Sequence, residues 1–302
     1  MEWSKRGLIF KPAVRFDWMV THAAFPLAER IGEDLYRIYF SARDELNRAQ
    51  VGYIEININE PQKVLYITEK PVLGLGDLGC FDDNGVMAEW IVGHGGMKYL
   101  YYYGWNRGVT VPYYIYIGLA ISKDGGETFE RYSKVPILDR NTVDPYQTTG
   151  PCVLIENEIW RMWYVSSDKG WKITNGKLSP YYHIKYAESK DGIGWDRKGI
   201  ICVDFKSKDE YGIGRPCVLK EDGIYKMWYS YSTGSYRIGY AESLDGINWE
   251  RKDDEAGIDV SDSGWDSEMI EYAFVFNHKG KKYMLYNGNG FGKDGFGLAT
   301  AR

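Results

Sequence analysis

Several things are scarce in this sequence of 302 residues, and each scarcity removes a class of protein. Four cysteines occur and none forms a Cys-x-x-Cys pair, so neither a disulfide framework nor a structural zinc site is expected. Cys152 and Cys217 each sit in the sequence Pro-Cys-Val-Leu and read as small buried residues on equivalent strands. Basic charge is not in excess: the formal net charge is −5, the opposite of what a phosphate backbone rewards, so no nucleic-acid partner is expected. No run of 18 apolar residues occurs, which argues against a membrane-spanning helix. The apolar patch Gly7–Phe10 is too short for a secretory signal, and a cytoplasmic location is expected. No metal or cofactor motif is visible: Gly74-Leu-Gly-Asp-Leu-Gly79 and Gly290-Phe-Gly-Lys-Asp-Gly295 match the dinucleotide glycine spacing but lack the helix that must follow it.

Aromatic residues are abundant. They make up 16% of the chain, with 26 Tyr and 11 Trp, a composition suited to pleated, half-buried surfaces. Their positions repeat. Gly150-Pro-Cys-Val-Leu-Ile-Glu-Asn-Glu-Ile-Trp-Arg-Met-Trp-Tyr164 aligns without a gap on Arg215-Pro-Cys-Val-Leu-Lys-Glu-Asp-Gly-Ile-Tyr-Lys-Met-Trp-Tyr229. Each copy continues into a third strand and a turn, Ile184–Gly192 and Ile238–Gly246, and then a Trp at 195 and 249. Each unit is therefore a four-stranded antiparallel meander. Weaker copies run through Tyr36–Phe40, Tyr99–Tyr103 and Tyr283–Tyr286. Five such units predict an all-β, five-bladed propeller in one domain, with blades near 17–72, 80–139, 146–203, 211–260 and 268–302. The last unit lacks a fourth strand, and the extended segment 7–11 is predicted to supply it and close the ring, leaving no bare sheet edge. The turn Ser122-x-Asp-x-Gly-x-Thr-Phe129 resembles the Asp-box of sialidases and other propellers, in which side chains tie a hairpin, and is predicted to be structural.

In a propeller the innermost strands converge on a central funnel, so residues just before and at their start are candidate ligands. That position holds His22 in the first unit and Asp82-Asp83-Asn84 in the second. The third gives Gln147, Thr148 and Thr149, the fourth Arg215, and the fifth Glu268 and Glu271. Arg215 aligns with Gly150 and, on this reading, with Glu271. Units that agree in their core residues yet differ in this column suggest a column shaped for something other than folding.

The blade pattern Pro-Cys-Val-Leu … Met-Trp-Tyr … Tyr-Ala-Glu-Ser-x-Asp-Gly-x-x-Trp resembles that of the five-bladed glycoside hydrolases: family 43, families 32 and 68, and the mannoside phosphorylases of family 130. The resemblance spans essentially the whole chain and implies a fold more than an activity. In family 43 it implies an Asp on each of the first two blades and an acid Glu on the third. Here Asp83 or Asp82 matches the second, while Thr21-His22-Ala23 and Thr148-Thr149-Gly150 hold no carboxylate, so that catalytic set does not transfer.

Glycoside cleavage generally uses two carboxyl groups. Asp83 and Glu271 are the expected catalytic pair, on blades that flank the first. Arg43, Asp44, Asp82, Thr149, Arg215, Glu268 and His22 are expected to bind substrate. Trp171, on the inserted loop Ser166–Trp171, is expected to offer a stacking platform. The expected function is acid/base processing of a small oligosaccharide or glycoconjugate. The alternatives are a phosphorylase with a phosphate pocket at Arg215, His22 and Arg43, or a non-catalytic carbohydrate-binding propeller.

Overall fold

The computed structural model describes residues 1–174 and 176–301. Its strands, in chain order, are β1 (Trp3–Phe10), β2 (Thr21–Arg30), β3 (Leu35–Arg43), β4 (Ala49–Asn57), β5 (Val64–Ile67), β6 (Gly85–His94), β7 (Met97–Arg107), β8 (Tyr113–Ser122) and β9 (Glu130–Arg131). There follow β10 (Thr148–Glu156), β11 (Ile159–Ser166), β12 (Trp171–Thr174), β13 (Lys177–Pro180), β14 (His183–Ser189) and β15 (Trp195–Val203). The rest are β16 (Gly212–Glu221), β17 (Ile224–Ser232), β18 (Tyr236–Ser243), β19 (Glu250–Arg251), β20 (Glu271–His278), β21 (Lys281–Asn287) and β22 (Phe296–Ala301).

They pair as antiparallel meanders. β10-β11-β14-β15 and β16-β17-β18-β19 are separate four-stranded sheets, the first interrupted by the hairpin β12–β13. β2 to β5 and β6 to β9 form two more meanders, linked into one sheet by a parallel bridge between Ala49 and Gly85. In the last, β20-β21-β22 is completed by β1, whose Trp3 faces Ala301 and whose Phe10 faces Phe296. The five first strands touch in cyclic order: β2 meets β6, β6 meets β10, β10 meets β16, β16 meets β20, and β20 meets β2.

Large side chains fill the space between meanders, and polar ties fix their spacing. Ser122, Ser189 and Ser243 each accept a backbone N–H from the glycine of their turn, and Asp124, Asp191 and Asp245 accept two more apiece. The carbonyls of those turns are used as well. Gly126 accepts from the Tyr39 hydroxyl, Gly192 from Tyr101 and Gly246 from the Trp163 indole, so each turn is tied to the meander before it. A second device recurs at a spacing of 20 residues: the core hydroxyls of Tyr102, Tyr164 and Tyr286 donate to the buried carboxylates of Asp82, Asp144 and Asp266. Each carboxylate is neutralised by a cation, respectively Arg131, the Lys185–Arg197 pair, and Lys5. A buried charge without such a partner would be costly.

Candidate functional site

Every first strand carries a β-bulge at the same height. The pairing slips by one residue between Ala24 and Leu27 in β2, Ala88 and Trp90 in β6, Thr149 and Cys152 in β10, Gly214 and Cys217 in β16, and Glu271 and Phe274 in β20. At four of the five, one residue of the bulge adopts left-handed backbone: Phe25 (φ 57°), Gly150 (φ 55°), Arg215 (φ 51°) and Tyr272 (φ 57°). Glycine adopts this conformation freely, whereas for Phe, Arg and Tyr it is uncommon and costs energy. The N–H groups that the bulges free from the ladder are satisfied by polar residues at one position of neighbouring second strands. Phe25 donates to Asn287, Ala88 to Ser41 and Tyr272 to Ser230. A bulge re-aims a side chain, and here all five turn toward one place.

That place is a cavity of about 460 Å³, within the range of small-molecule sites. Phe25, Glu89, Gly150, Arg215 and Tyr272, all from the bulges, line it together with Met87, Thr149 and Gly214 beside them. Tyr103, Trp105, Tyr113, Tyr182, Tyr211 and Tyr236 make its wall largely aromatic. The charged residues among its lining are Arg43, Arg215 and Glu89.

Glu89 and Arg215 form a buried ion pair, with Glu89 Oε2 3.1 Å from Arg215 Nε. Arg215 also donates from Nη2 to the Pro26 carbonyl and lies over the Phe25 ring, which itself stacks on Tyr272 at 3.9 Å. Burial pushes the Glu89 carboxyl up to about 8, against the opposing pull of Arg215. Glu271 is fully buried with no hydrogen-bond partner on either carboxylate oxygen. Burial drives its carboxyl well above the usual range, with Tyr272 and Arg215 pulling the other way. Its charge is felt by Tyr182 and Tyr236, both of which line the cavity. Further buried polar atoms lack partners: Arg43 Nε, Arg215 Nη1, Thr149 Oγ1 and both amide atoms of Gln147. All four residues line the cavity, and buried polar groups left open in this way are what a ligand would satisfy.

Of the residues expected from sequence, Arg43, Thr149 and Arg215 line this cavity; Glu271, next in the chain to the lining residue Tyr272, does not. Others lie elsewhere. β6 begins at Gly85, so Asp82 and Asp83 lie just before the inner strand, as expected, but their side chains are turned to other partners. Asp82 is consumed by Tyr102 and Arg131, and Asp83 accepts the Gly79 N–H in the turn ahead of the strand. Neither lines the cavity, and replacing Asp83 with Asn is expected to leave turnover within about twofold of wild type in an activity assay. Asp44 clamps the β3–β4 turn, accepting from the Leu46 and Arg48 N–H groups and from the Arg48 guanidinium. Glu268 is exposed, and its bonds run through its backbone to Asn289 and Arg237. His22 is half-buried, bonded to Thr21, and held down to about 4 by burial and by the charges of Arg43 and Lys293. Trp171 meets Tyr113 edge-on at 5.0 Å, and β13 of the same hairpin brings Leu178, Ser179 and Pro180 into the lining.

The expected alignment of Arg215 with Glu271 is corrected by one residue. Cys217 faces Trp228 and Phe274 faces the equivalent Leu285, which pairs Arg215 with Tyr272 and Glu271 with Gly214. Glu89 went unnoticed in the sequence. Its signal was an acid inside an otherwise apolar strand, Val86-Met87-Ala88-Glu89-Trp90, visible once Tyr102 is aligned with Tyr164 and Tyr229. Among the described residues no cluster of His, Cys, Asp and Glu could hold a metal ion, and no helix is long and apolar enough to cross a membrane.

Solved structures share this architecture. A glycoside hydrolase superposes with a TM-score of 0.76 at 18% identity, over 99% of this chain and 91% of its own. A thermostable family-43 glycoside hydrolase gives 0.64 at 18% identity over 96% and 91%. The GH32 β-fructofuranosidase of Bombyx mori gives 0.64 at 14% identity, over 98% of this chain and 61% of its own. The fold is thus that of the propeller glycosidases, as the blade motifs implied. No family model matches the sequence. At the level of sequence the chain belongs to one family with the uncharacterized proteins Rv1502 and MT1551 of Mycobacterium tuberculosis, each 42% identical over 300 residues, 99% of both chains. A 1,2-β-oligomannan phosphorylase of Thermoanaerobacter sp. is 27% identical over 158 residues, 50% of this chain and 53% of that protein.

Proposed function

We propose that this protein is a five-bladed propeller, closed by β1, that processes glycosides in the bulge-lined cavity, with Glu89 as the proton donor. The observation that carries this reading is a carboxyl group raised to about 8 by burial inside a cavity walled by aromatic rings. Such a group is still largely protonated near neutrality, as a general acid must be. Aromatic faces stack on the apolar faces of sugar rings, and the open polar atoms of Gln147 and Thr149 suit sugar hydroxyls.

The charge balance favours phosphate over water as the attacking group. Hydrolysis would call for an ionised carboxylate as base or nucleophile. Glu89 and Glu271 are both held toward their neutral forms, so neither is suited to that role at neutral pH. Arg43 and Arg215 keep buried donor atoms open, and a guanidinium fork matches an oxyanion. In this scheme a phosphate oxygen bonds to the anomeric carbon while the glycosidic C–O bond breaks. Its electron pair stays on the leaving oxygen, which takes the proton of Glu89. The similarity to an oligomannan phosphorylase is consistent with this scheme. The test is a screen of aryl glycosides and short oligosaccharides, mannosides included, with and without phosphate. Phosphate-dependent turnover, lost in Glu89→Gln, is expected. Turnover independent of phosphate would return the assignment to hydrolysis, and sugar binding without turnover would indicate a binding propeller.

A further inference from the structure

Across the cavity mouth from its polar floor, the surface changes character over the fourth meander. The turn between β17 and β18 is short, Thr233-Gly234-Ser235, and carries no large side chain. On one side of it stands the β12–β13 hairpin, and on the other the loop between β21 and β22. The hairpin presents Ile173 and Leu178, which are paired directly across its two strands and so lie on one face. They are 75% and 42% exposed. The loop presents Phe291, 46% exposed, whose ring meets Tyr236 edge-on at 6.1 Å. Leu178, Phe291, Tyr182, Tyr211 and Tyr236 all belong to the cavity lining as well. The result is a trough with aliphatic and aromatic walls and a tyrosine floor, continuous with the cavity.

Folding does not account for these side chains. Phe291 sits in left-handed backbone (φ 61°) directly after Gly290 (φ 66°), a conformation that costs energy, and still leaves 46% of its surface exposed. The end of the molecule away from the mouth also carries exposed apolar side chains, but they are scattered and none lines the cavity. Its turns Gly95-Gly96, Asn157-Glu158, Asp222-Gly223 and Lys279-Gly280 are small or polar, while the β2–β3 turn exposes Ile31 beside Leu35, 38% and 39% exposed, and β11 opens on Ile159, 41% exposed. At the mouth end, Leu46 and Val109 add two more exposed apolar tips. Contiguous exposed apolar surface rimmed by polar groups marks a binding site.

We infer that the substrate is amphiphilic: a glycoside whose sugar enters the cavity and whose apolar aglycone, an alkyl chain or aromatic ring, lies in the trough between Ile173, Leu178 and Phe291. This rests on the glycoside reading above. A second sugar would find few hydrogen-bond partners on Ile173, Leu178 and Phe291. A methylene chain would gain from every carbon it buries there, and two buried methylenes already account for roughly tenfold in affinity.

The experiment compares methyl and octyl glycosides of mannose, glucose and galactose, below the detergent's micelle concentration. Turnover with phosphate and tryptophan fluorescence titration are the two readouts. For the sugar that the protein accepts, the octyl compound is expected to show a KM or Kd at least tenfold below the methyl compound. That ratio is expected to fall below threefold in Ile173→Ser and in Phe291→Asn, where Asn tolerates the left-handed backbone. Methyl glycosides or oligosaccharides handled as well as octyl glycosides would overturn the aglycone subsite and leave the glycoside reading standing. An octyl preference unchanged in both variants would overturn the placement in this trough. Binding of neither series, nor of any oligosaccharide, would overturn both.

Discussion

Glu89→Gln is expected to lower kcat/KM by at least a hundredfold on any substrate whose leaving group needs a proton, and to abolish the alkaline limb of the pH profile. General acid catalysis is typically worth about 10²- to 10⁴-fold, and glutamine preserves the shape of the side chain without the acid. In the wild type the active form is the protonated one. Activity is therefore expected to be flat on the acid side of about 8 and to fall as pH rises through that value. Stability carries the same signature. The folded-state value lies above the ordinary value of 4.5, so the folded protein binds the proton more tightly than the unfolded chain. Stability from this group is complete below about 4.5 and is lost progressively as pH rises through about 8. Thermal unfolding at pH 6 and pH 9 should show Glu89→Gln gaining on the wild type at the higher pH. An unchanged difference between the two pH values would mean that Glu89 does not titrate in this range.

The second large effect is expected at Arg215. Its guanidinium is 3% exposed and faces Glu89, the Pro26 carbonyl and the Phe25 ring. Arg215→Met keeps most of the apolar volume and leaves Glu89 without its countercharge. Breaking a buried pair by removing one partner costs about 3–5 kcal/mol, because the remaining charge stays desolvated. Glu89 escapes that cost by taking up a proton, so the loss is expected to be larger at pH 9 than at pH 6 in urea unfolding. Arg215 is also the group that pulls Glu89 down, and its removal is expected to move the alkaline limb of activity upward. The double variant Glu89→Gln/Arg215→Met should be more stable than the sum of the two single changes. Strict additivity would show that the two side chains are not coupled.

Both effects sit on the bulges, and the bulges show where a sequence stops being informative. The second-strand pattern Met-Trp-Tyr, the Ser-x-Asp-Gly turns and the tyrosine–aspartate spacing are local or strictly periodic. They reveal the meander unit and its repetition, because side-chain alternation and turn chemistry act over a few residues. The pairing of β1 with β22 could be anticipated from the missing fourth strand of the last unit. An extra residue in one strand, by contrast, leaves no mark on its own. It is defined only against the partner strand, so the convergence of Glu89 and Arg215 on one cavity could not be read from either strand alone. The match of Arg215 with Tyr272 follows instead from the ungapped alignment of Met227-Trp-Tyr229 with Met284-Leu-Tyr286. Asp82 and Asp83 have the residue type of a catalytic acid, but their environment, a scaffold ion pair and a turn, is set by distant groups such as Arg131.

The sequence by itself determined an all-β chain of repeated four-stranded meanders and the structural use of its Asp-box turns, and it singled out Arg43, Thr149 and Arg215, which line the cavity. Only the tertiary structure decided which carboxyl group lines the cavity and in what state. Burial raises Glu89 to about 8 and drives Glu271 upward as well, and burial is a property of five strands meeting, not of any one of them.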